Sequence, residues 1–229
     1  MDKRKFGLSG GFFLIFIIYT LLVRFVGRAA IGPKDSFVGF AGLNGAVRDA
    51  VGRSNIWKGI STFSGIIAIA VAGVFVILGL YQLIRYRSLM GVDPDIYALG
   101  VVYVLTAATY LLFEKVIINY RPVLENGELA ASYPSSHTML MVTIYGTAVA
   151  ALHRRIKDRG TSLVIKGAAF VMMLIGVLGR TLSGVHWITD IIGSLIIGVA
   201  FITLYSALTD YSFVLRDSIR NKPKKRKEE

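Results

Sequence analysis

Apolar residues along this chain gather into six runs, at about residues 8–26, 63–84, 96–118, 138–152, 163–178 and 188–208. A helix needs about 20 apolar residues to cross the hydrocarbon core of a bilayer, and a segment in lipid must satisfy its backbone hydrogen bonds internally. The pattern therefore predicts an all-α, polytopic membrane protein with six transmembrane helices, forming one domain over residues 1–215. The fourth and fifth runs are short and are expected to extend into their flanks. Between the first two runs lies a long, glycine-rich connection, residues 27–62. Its apolar-periodic stretch from Leu43 to Val51 predicts a short amphipathic helix at the membrane interface, with a mobile loop as the alternative. Residues 216–229 are charged enough to form a solvated, poorly ordered basic tail.

The polar connections are not equivalent. Lys3, Arg4 and Lys5 precede the first run, and the second and fourth connections hold Arg85, Arg87, Arg154, Arg155, Lys157 and Arg159. With the seven basic residues of the tail, sixteen cations fall on one side and seven in the opposite loops. Cytoplasmic loops carry the excess of Lys and Arg, so both termini are expected to be cytoplasmic and the odd-numbered connections outside. The first run has the charge order of a signal peptide, but it is longer than the roughly 7–15 apolar residues of such a segment. It reads as a signal anchor and first span. Arg24 and Lys166 are expected to snorkel to the outer and inner surfaces.

Composition agrees with this layout. Of the 229 residues, 54% are hydrophobic, with a mean hydropathy of +0.61. Cysteine is absent, which excludes disulfides, thiolate nucleophiles and cysteine-bound metals. The formal charge of +12 sits largely in the tail and the inner loops, as topology signals and anionic lipid headgroups would require, so no nucleic-acid partner is expected.

Two of the three histidines fall in outer loops beside arginine, serine and proline. The third connection contains Asn119-Tyr120-Arg121-Pro122, the polar stretch Glu125 to Glu128, and Ser132-Tyr133-Pro134-Ser135-Ser136-His137 as the fourth helix begins. Serines at a helix mouth cap free N–H groups, and those N–H groups also form an anion site. The fifth connection runs from Gly179 and Arg180 to His186 and, four residues on, Asp190. If a helix starts near His186, the Asp190 carboxylate can hold one imidazole nitrogen and leave the other unprotonated. Such a histidine can act as base or nucleophile. Arg121 and Arg180 supply guanidinium forks suited to phosphate oxygens. Taken singly, each residue also fits a structural role: snorkelling for the arginines, a plain cap for Ser135 and His137, and interhelical pairing for Asp190. Ionisable groups converging at membrane depth are costly without a function, and together they favour a phosphate site. Tyr120, Tyr133 and Trp187 flank it and are expected to anchor at the interface, with substrate contact as the alternative. His153, before Arg154, is expected to complement a helix dipole.

These segments resemble the type 2 phosphatidic acid phosphatase superfamily, in its membrane branch, over roughly Ile96 to Leu208. The family's signatures are Lys, six residues, Arg-Pro; Pro-Ser-Gly-His; and Ser-Arg, five residues, His, three residues, Asp. This chain carries Arg121-Pro122, then Pro134-Ser135-Ser136-His137, then Arg180, His186 and Asp190 at the third spacing. Three positions depart. Glu114 stands where the lysine is expected, with Lys115 one residue later, a rotation of about 100° on a helix. Ser136 replaces the glycine, and Gly179 replaces the serine.

The resemblance implies a metal-independent phosphatase without cofactors. His186 would form a phosphohistidine, Asp190 would orient its ring, and His137 would serve as acid and then base. Arg121, Arg180, Ser135 and Ser136 would bind phosphate oxygens, with Lys115 as a conditional member. The expected substrate is a lipid phosphate or diphosphate in the outer leaflet of the plasma membrane. Small six-span members favour undecaprenyl diphosphate, with phosphatidic acid or phosphatidylglycerol phosphate next. Lipid phosphotransfer and, in another class, non-catalytic anionic-lipid binding or transport are the rivals. A monomer or a dimer would serve.

Overall fold

The computed structural model describes residues 3–220. Its helices are α1 (Lys3–Phe25), α2 (Ala41–Val51), α3 (Asn55–Tyr86), α4 (Pro94–Lys115), α5 (Ser136–Arg155), α6 (Arg159–Leu182) and α7 (Ile188–Arg220). A two-residue antiparallel pair, β1 (Ala29–Ala30) and β2 (Phe37–Val38), lies in the α1–α2 connection. All six expected spans appear as helices, and the amphipathic stretch at Leu43 is α2.

Five of the six are long and apolar enough to cross a membrane: α1, α3, α4, α6 and α7. Their outward faces carry exposed apolar side chains such as Ile17, Ile77, Val104 and Leu163, which is the surface lipid tails require. The remaining span, α5, is more polar, and its place in the bundle explains why. Packed against α3, α4, α6 and α7, it has ten of its 20 residues buried, among them Thr138 and Thr147. A helix that faces protein can keep hydroxyls, because neighbouring groups or its own carbonyls accept them. Thr147 does so to the Thr143 carbonyl at 2.7 Å.

The bundle is organised around α7, half of whose apolar window is buried against about a fifth for the others. It packs on α1, α4 and α5. At 33 residues it spans about 50 Å, well beyond a hydrocarbon core of roughly 30 Å. The expectation that order ends near residue 216 therefore needs correction: the helix continues through Arg220, and residues 221–229 of the expected tail lie outside the described residues. Contacts that local composition does not reveal hold this extension. Asp210 accepts from Arg154 at 2.6 Å and from Lys5, Tyr211 meets Phe6 edge-on, and Arg154 lies over the Phe213 ring.

These contacts bring both ends of the described chain to one end of the bundle. There Arg155 also forms a two-pronged pair with Asp95 and reaches Asp93 at 3.3 Å, while Lys166 contacts His153 at 2.8 Å. Asp95 is buried, so its charge relies on Arg155. Asp95→Ala is expected to lower stability by about 2 kcal/mol, somewhat less than a fully buried broken pair because Arg155 keeps Asp93 and some water. Thermal unfolding in detergent would show it. Arg24 donates to the Ile117 carbonyl at 3.3 Å, joining the far end of α1 to the end of α4.

Candidate active site

At the end of the bundle opposite that charged cluster, the α4–α5 and α6–α7 connections meet beneath α2. The first is a hairpin. Tyr120 pairs with Ala131 and Glu125 with Glu128, and the turn residues Asn126 and Gly127 both have positive φ, 50° and 82°. That is the backbone a tight two-residue Asn-Gly turn requires. The hairpin holds Arg121 by two bonds, from its N–H to the Ala130 carbonyl at 3.0 Å and from Nε to the Ala131 carbonyl at 3.1 Å. Its outer prong pairs with Glu125. The Ser132 N–H bonds the Asn119 carbonyl at 2.9 Å, which fixes where the strand delivers Ser132.

The α6–α7 connection turns sharply at Gly184, φ +66°, where a Cβ would lie 2.1 Å from the Gly52 carbonyl oxygen. Only glycine fits there. The loop is thus pinned to the α2–α3 junction, and His186 is presented just before α7 begins. Asp190 sits in the first turn of α7 and accepts from the Trp187 N–H at 3.0 Å, the backward half of a capping box.

The expected link between His186 and Asp190 takes a different form. Because α7 starts at Ile188, His186 lies outside the helix, and its Nδ1 is 3.8 Å from Asp190 Oδ2, too far for a hydrogen bond. Nδ1 meets Ser132 instead, the carbonyl at 3.0 Å and Oγ at 3.1 Å, while Ser132 Oγ donates to Asp190 at 2.5 Å. A carbonyl accepts only, so Nδ1 bears the proton and Nε2 carries the lone pair. Nε2 is buried without a partner. Burial first, then the charges of Arg121 and Arg180, push the imidazole well below its usual pKa, with the Ser132 carbonyl opposing. His186 is therefore neutral near pH 7.

His137, in the first turn of α5, is held at Nδ1 by Arg180 at 3.0 Å. Arginine only donates, so the neutral His137 ring has its proton on Nε2. Arg180 is buried, and its Nε has no partner. Ser135 occupies the N-cap position of α5, yet its side chain makes no capping bond; its Oγ meets Thr138 at 3.1 Å. The first-turn N–H groups of α5, which have no acceptor within the helix, thus remain uncapped by Ser135.

A small, open cavity is walled by Arg121, Ser132, Ser136 and His186, with Tyr110, Phe113 and Glu114 contributed by α4. His137 and Arg180, bonded to each other, do not line it. Nor does Lys115: the rotation of one residue on α4 turns Glu114 to the cavity and leaves Lys115 exposed at the helix end. The conditional placing of Lys115 in the site is corrected accordingly. Gly179, where the family has serine, lies where α3 presses on α6; a Cβ there would be 3.2 Å from Ser61 Cβ and from the Trp57 carbonyl oxygen.

Two aromatics also need correction. Tyr133 and Trp187 are each 1% exposed and belong to the interior, not to an interfacial belt. Tyr133 stacks on Phe16 and bonds Thr20 at 2.8 Å. Trp187 donates to the Tyr120 carbonyl at 2.6 Å and lies under Arg48. Ser132 was not among the expected site residues. The Asn-Gly turn was the available signal, since a tight hairpin there sets Ser132 opposite Asn119, close to the arginine.

Residues 96–213 match the family model described as the PAP2 superfamily. The fold is similar to a solved structure described as the first transmembrane PAP2 type phosphatidylglycerolphosphate phosphatase from Bacillus subtilis. The TM-score is 0.60 at 17% identity, covering 94% of this chain and 98% of that one. Among curated proteins, none matches the chain.

Proposed function

This chain belongs to the PAP2 superfamily, and from that premise we propose that it is a membrane lipid phosphatase working through a phosphohistidine on His186. The observation that carries the mechanism is the unpartnered Nε2 of His186, buried with its lone pair free beside Arg121 in a cavity at one end of an apolar bundle. Nε2 attacks phosphorus, the bond to the lipid oxygen breaks, and that oxygen leaves with a proton from His137. For this His137 must hold a second proton on Nδ1, which it can do once the phosphate dianion draws the Arg180 fork onto itself. Water, deprotonated by His137, then attacks the phosphohistidine and releases inorganic phosphate. Arg121, Arg180, Ser135 and Ser136, with the first-turn N–H groups of α5, neutralise the equatorial oxygens, and such charge stabilisation supplies most of the catalysis in phosphoryl transfer. Phosphate binding exchanges the Glu125 carboxylate on Arg121 for a phosphate oxygen.

Tyr110, exposed on α4, lines the cavity wall, so an acyl or prenyl chain can stay in lipid while its headgroup reacts. The family resemblance favours a polyprenyl diphosphate such as undecaprenyl diphosphate. A second reading, a phospholipid monophosphate such as phosphatidylglycerol phosphate or phosphatidic acid, is favoured by Glu114, a carboxylate facing the cavity where a second phosphate would need a cation. Purified protein assayed on these substrates in mixed micelles, with EDTA present, is the test. Phosphate release from at least one supports the reading, and the preferred substrate decides between diphosphate and monophosphate. No release from any of them, or release only with added Mg²⁺, would overturn it.

The excess of basic residues at the opposite end supports a site at the outer face of the plasma membrane. Asn126→Cys, at the hairpin tip in a chain without other cysteine, is expected to react with an impermeant thiol reagent on intact cells. Labelling only after lysis would reverse the orientation.

A further inference from the structure

We infer that Ser132 is a positioning residue through which Asp190 acts on His186. Asp190 does not touch the imidazole: the nearest approach, 3.8 Å, exceeds hydrogen-bond range. Ser132 touches both. Its carbonyl and Oγ receive Nδ1 at 3.0 and 3.1 Å, and its hydroxyl proton goes to Asp190 at 2.5 Å. All three residues are buried, so water does not compete for these bonds.

The direction of the chain follows from donor chemistry. The carboxylate accepts, so Oγ donates to it; Oγ can then only accept from Nδ1–H, in the same sense as the carbonyl. This orders the ring with Nε2 aimed away from Ser132 and bare of a proton. When Nε2 gains the phosphoryl group the ring becomes a cation, and Nδ1–H then lies against an oxygen polarised by a carboxylate. Hydrogen bonds in such a chain strengthen one another. No bond is made or broken at Ser132, and no proton changes owner. The sequence distance between Ser132 and Asp190, 58 residues, is closed by the Asn119 pairing of the hairpin on one side and the capping bond to Trp187 on the other.

This rests on the phosphohistidine reading of His186, and the experiment separates the two. Wild type, Ser132→Ala, Ser132→Thr, Asp190→Asn and the double variant Ser132→Ala/Asp190→Asn are compared on whichever of the prenyl diphosphate, phosphatidic acid and phosphatidylglycerol phosphate micelles wild type turns over best. Radiolabelled phosphohistidine is trapped by alkaline quench in parallel. Partners that orient a metal-bound imidazole contribute about 10–100-fold; on the same scale Ser132→Ala is expected to lower kcat with KM little changed, because the backbone carbonyl still holds the tautomer. Ser132→Thr keeps the hydroxyl and is expected to recover most of the rate. The double variant is expected to be no slower than Asp190→Asn alone, since both changes cut one chain.

Multiplicative losses in the double variant, or full activity in Ser132→Ala with labelled His186, would overturn the relay while leaving the phosphohistidine intact. Absence of label on His186 in wild type would remove the covalent mechanism and the relay with it. Equal loss in alanine and threonine variants, with matching loss of thermal stability, would make Ser132 a packing residue only.

Discussion

Replacing His186 with alanine is expected to lower phosphate release by about 10⁴-fold or more, the scale on which nucleophile removal acts when no neighbour can substitute. No other side chain in the cavity is a ready substitute: the remaining histidine nearby, His137, is engaged by Arg180 and does not line it. The fold should tolerate the change, because His186 lies in a connection between helices and its ring contacts Ser132 rather than the apolar core. Binding of the lipid phosphate through Arg121 and Arg180 should persist, so the loss should fall on kcat. Unchanged release would sink the nucleophile assignment. Retained binding without turnover also separates a catalyst from a carrier of anionic lipids.

The pH dependence adds an independent check on the same residue. In the proposed mechanism the working form of His186 is neutral, and its pKa is held well below 6.5 by burial and then by the charges of Arg121 and Arg180. Activity is therefore present above the lowered pKa and lost as pH falls through it, so protonation of His186 should not limit the rate near pH 6.5. Arg121→Gln removes one of the charges that lower it; the pKa should rise and the acid limb of kcat/KM should move to higher pH, whatever happens to KM. A limb that stays put, or moves to lower pH, would contradict the assignment.

The second large effect is expected at His137. An acid and base used in both half-reactions contributes about 10²–10⁴-fold, so His137→Ala should lower lipid turnover by that amount. The informative readout is the intermediate. With an aryl phosphate, whose leaving group needs no proton, the first transfer should survive and labelled phosphohistidine should accumulate, because water is no longer activated. Turnover at the wild-type rate, or normal breakdown of the intermediate, would assign His137 to structure alone. In the proposed mechanism Arg180, bonded to His137 Nδ1 at 3.0 Å, leaves the ring neutral until a dianion draws the guanidinium away, so the acid form is available only with substrate bound.

Much of this architecture is legible in the apolar runs, for a physical reason. A segment that crosses lipid must be long and predominantly apolar, and α1, α3, α4, α6 and α7 are. The short fourth run is the instructive exception. Its threonines look like a weak span only because composition cannot say that protein, rather than lipid, surrounds α5. The same blindness moved Tyr133 and Trp187 to an interface when both are interior, and ended α7 too early at residues whose partners, Lys5 and Phe6, come from the other end of the chain.

Sequence alone determined the number of spans, the parity that brings the third and fifth connections to one end, and the residue types that the proposed phosphate chemistry draws on. Local spacing and composition carry those properties. The tertiary structure decided which groups touch: that Glu114 rather than Lys115 faces the cavity, that Arg180 holds His137, and that Ser132 stands between Asp190 and His186. Hydrogen bonds are made over about 3 Å, and pairs 43 to 58 residues apart meet at that range only when hairpin, loop and helices are all in place.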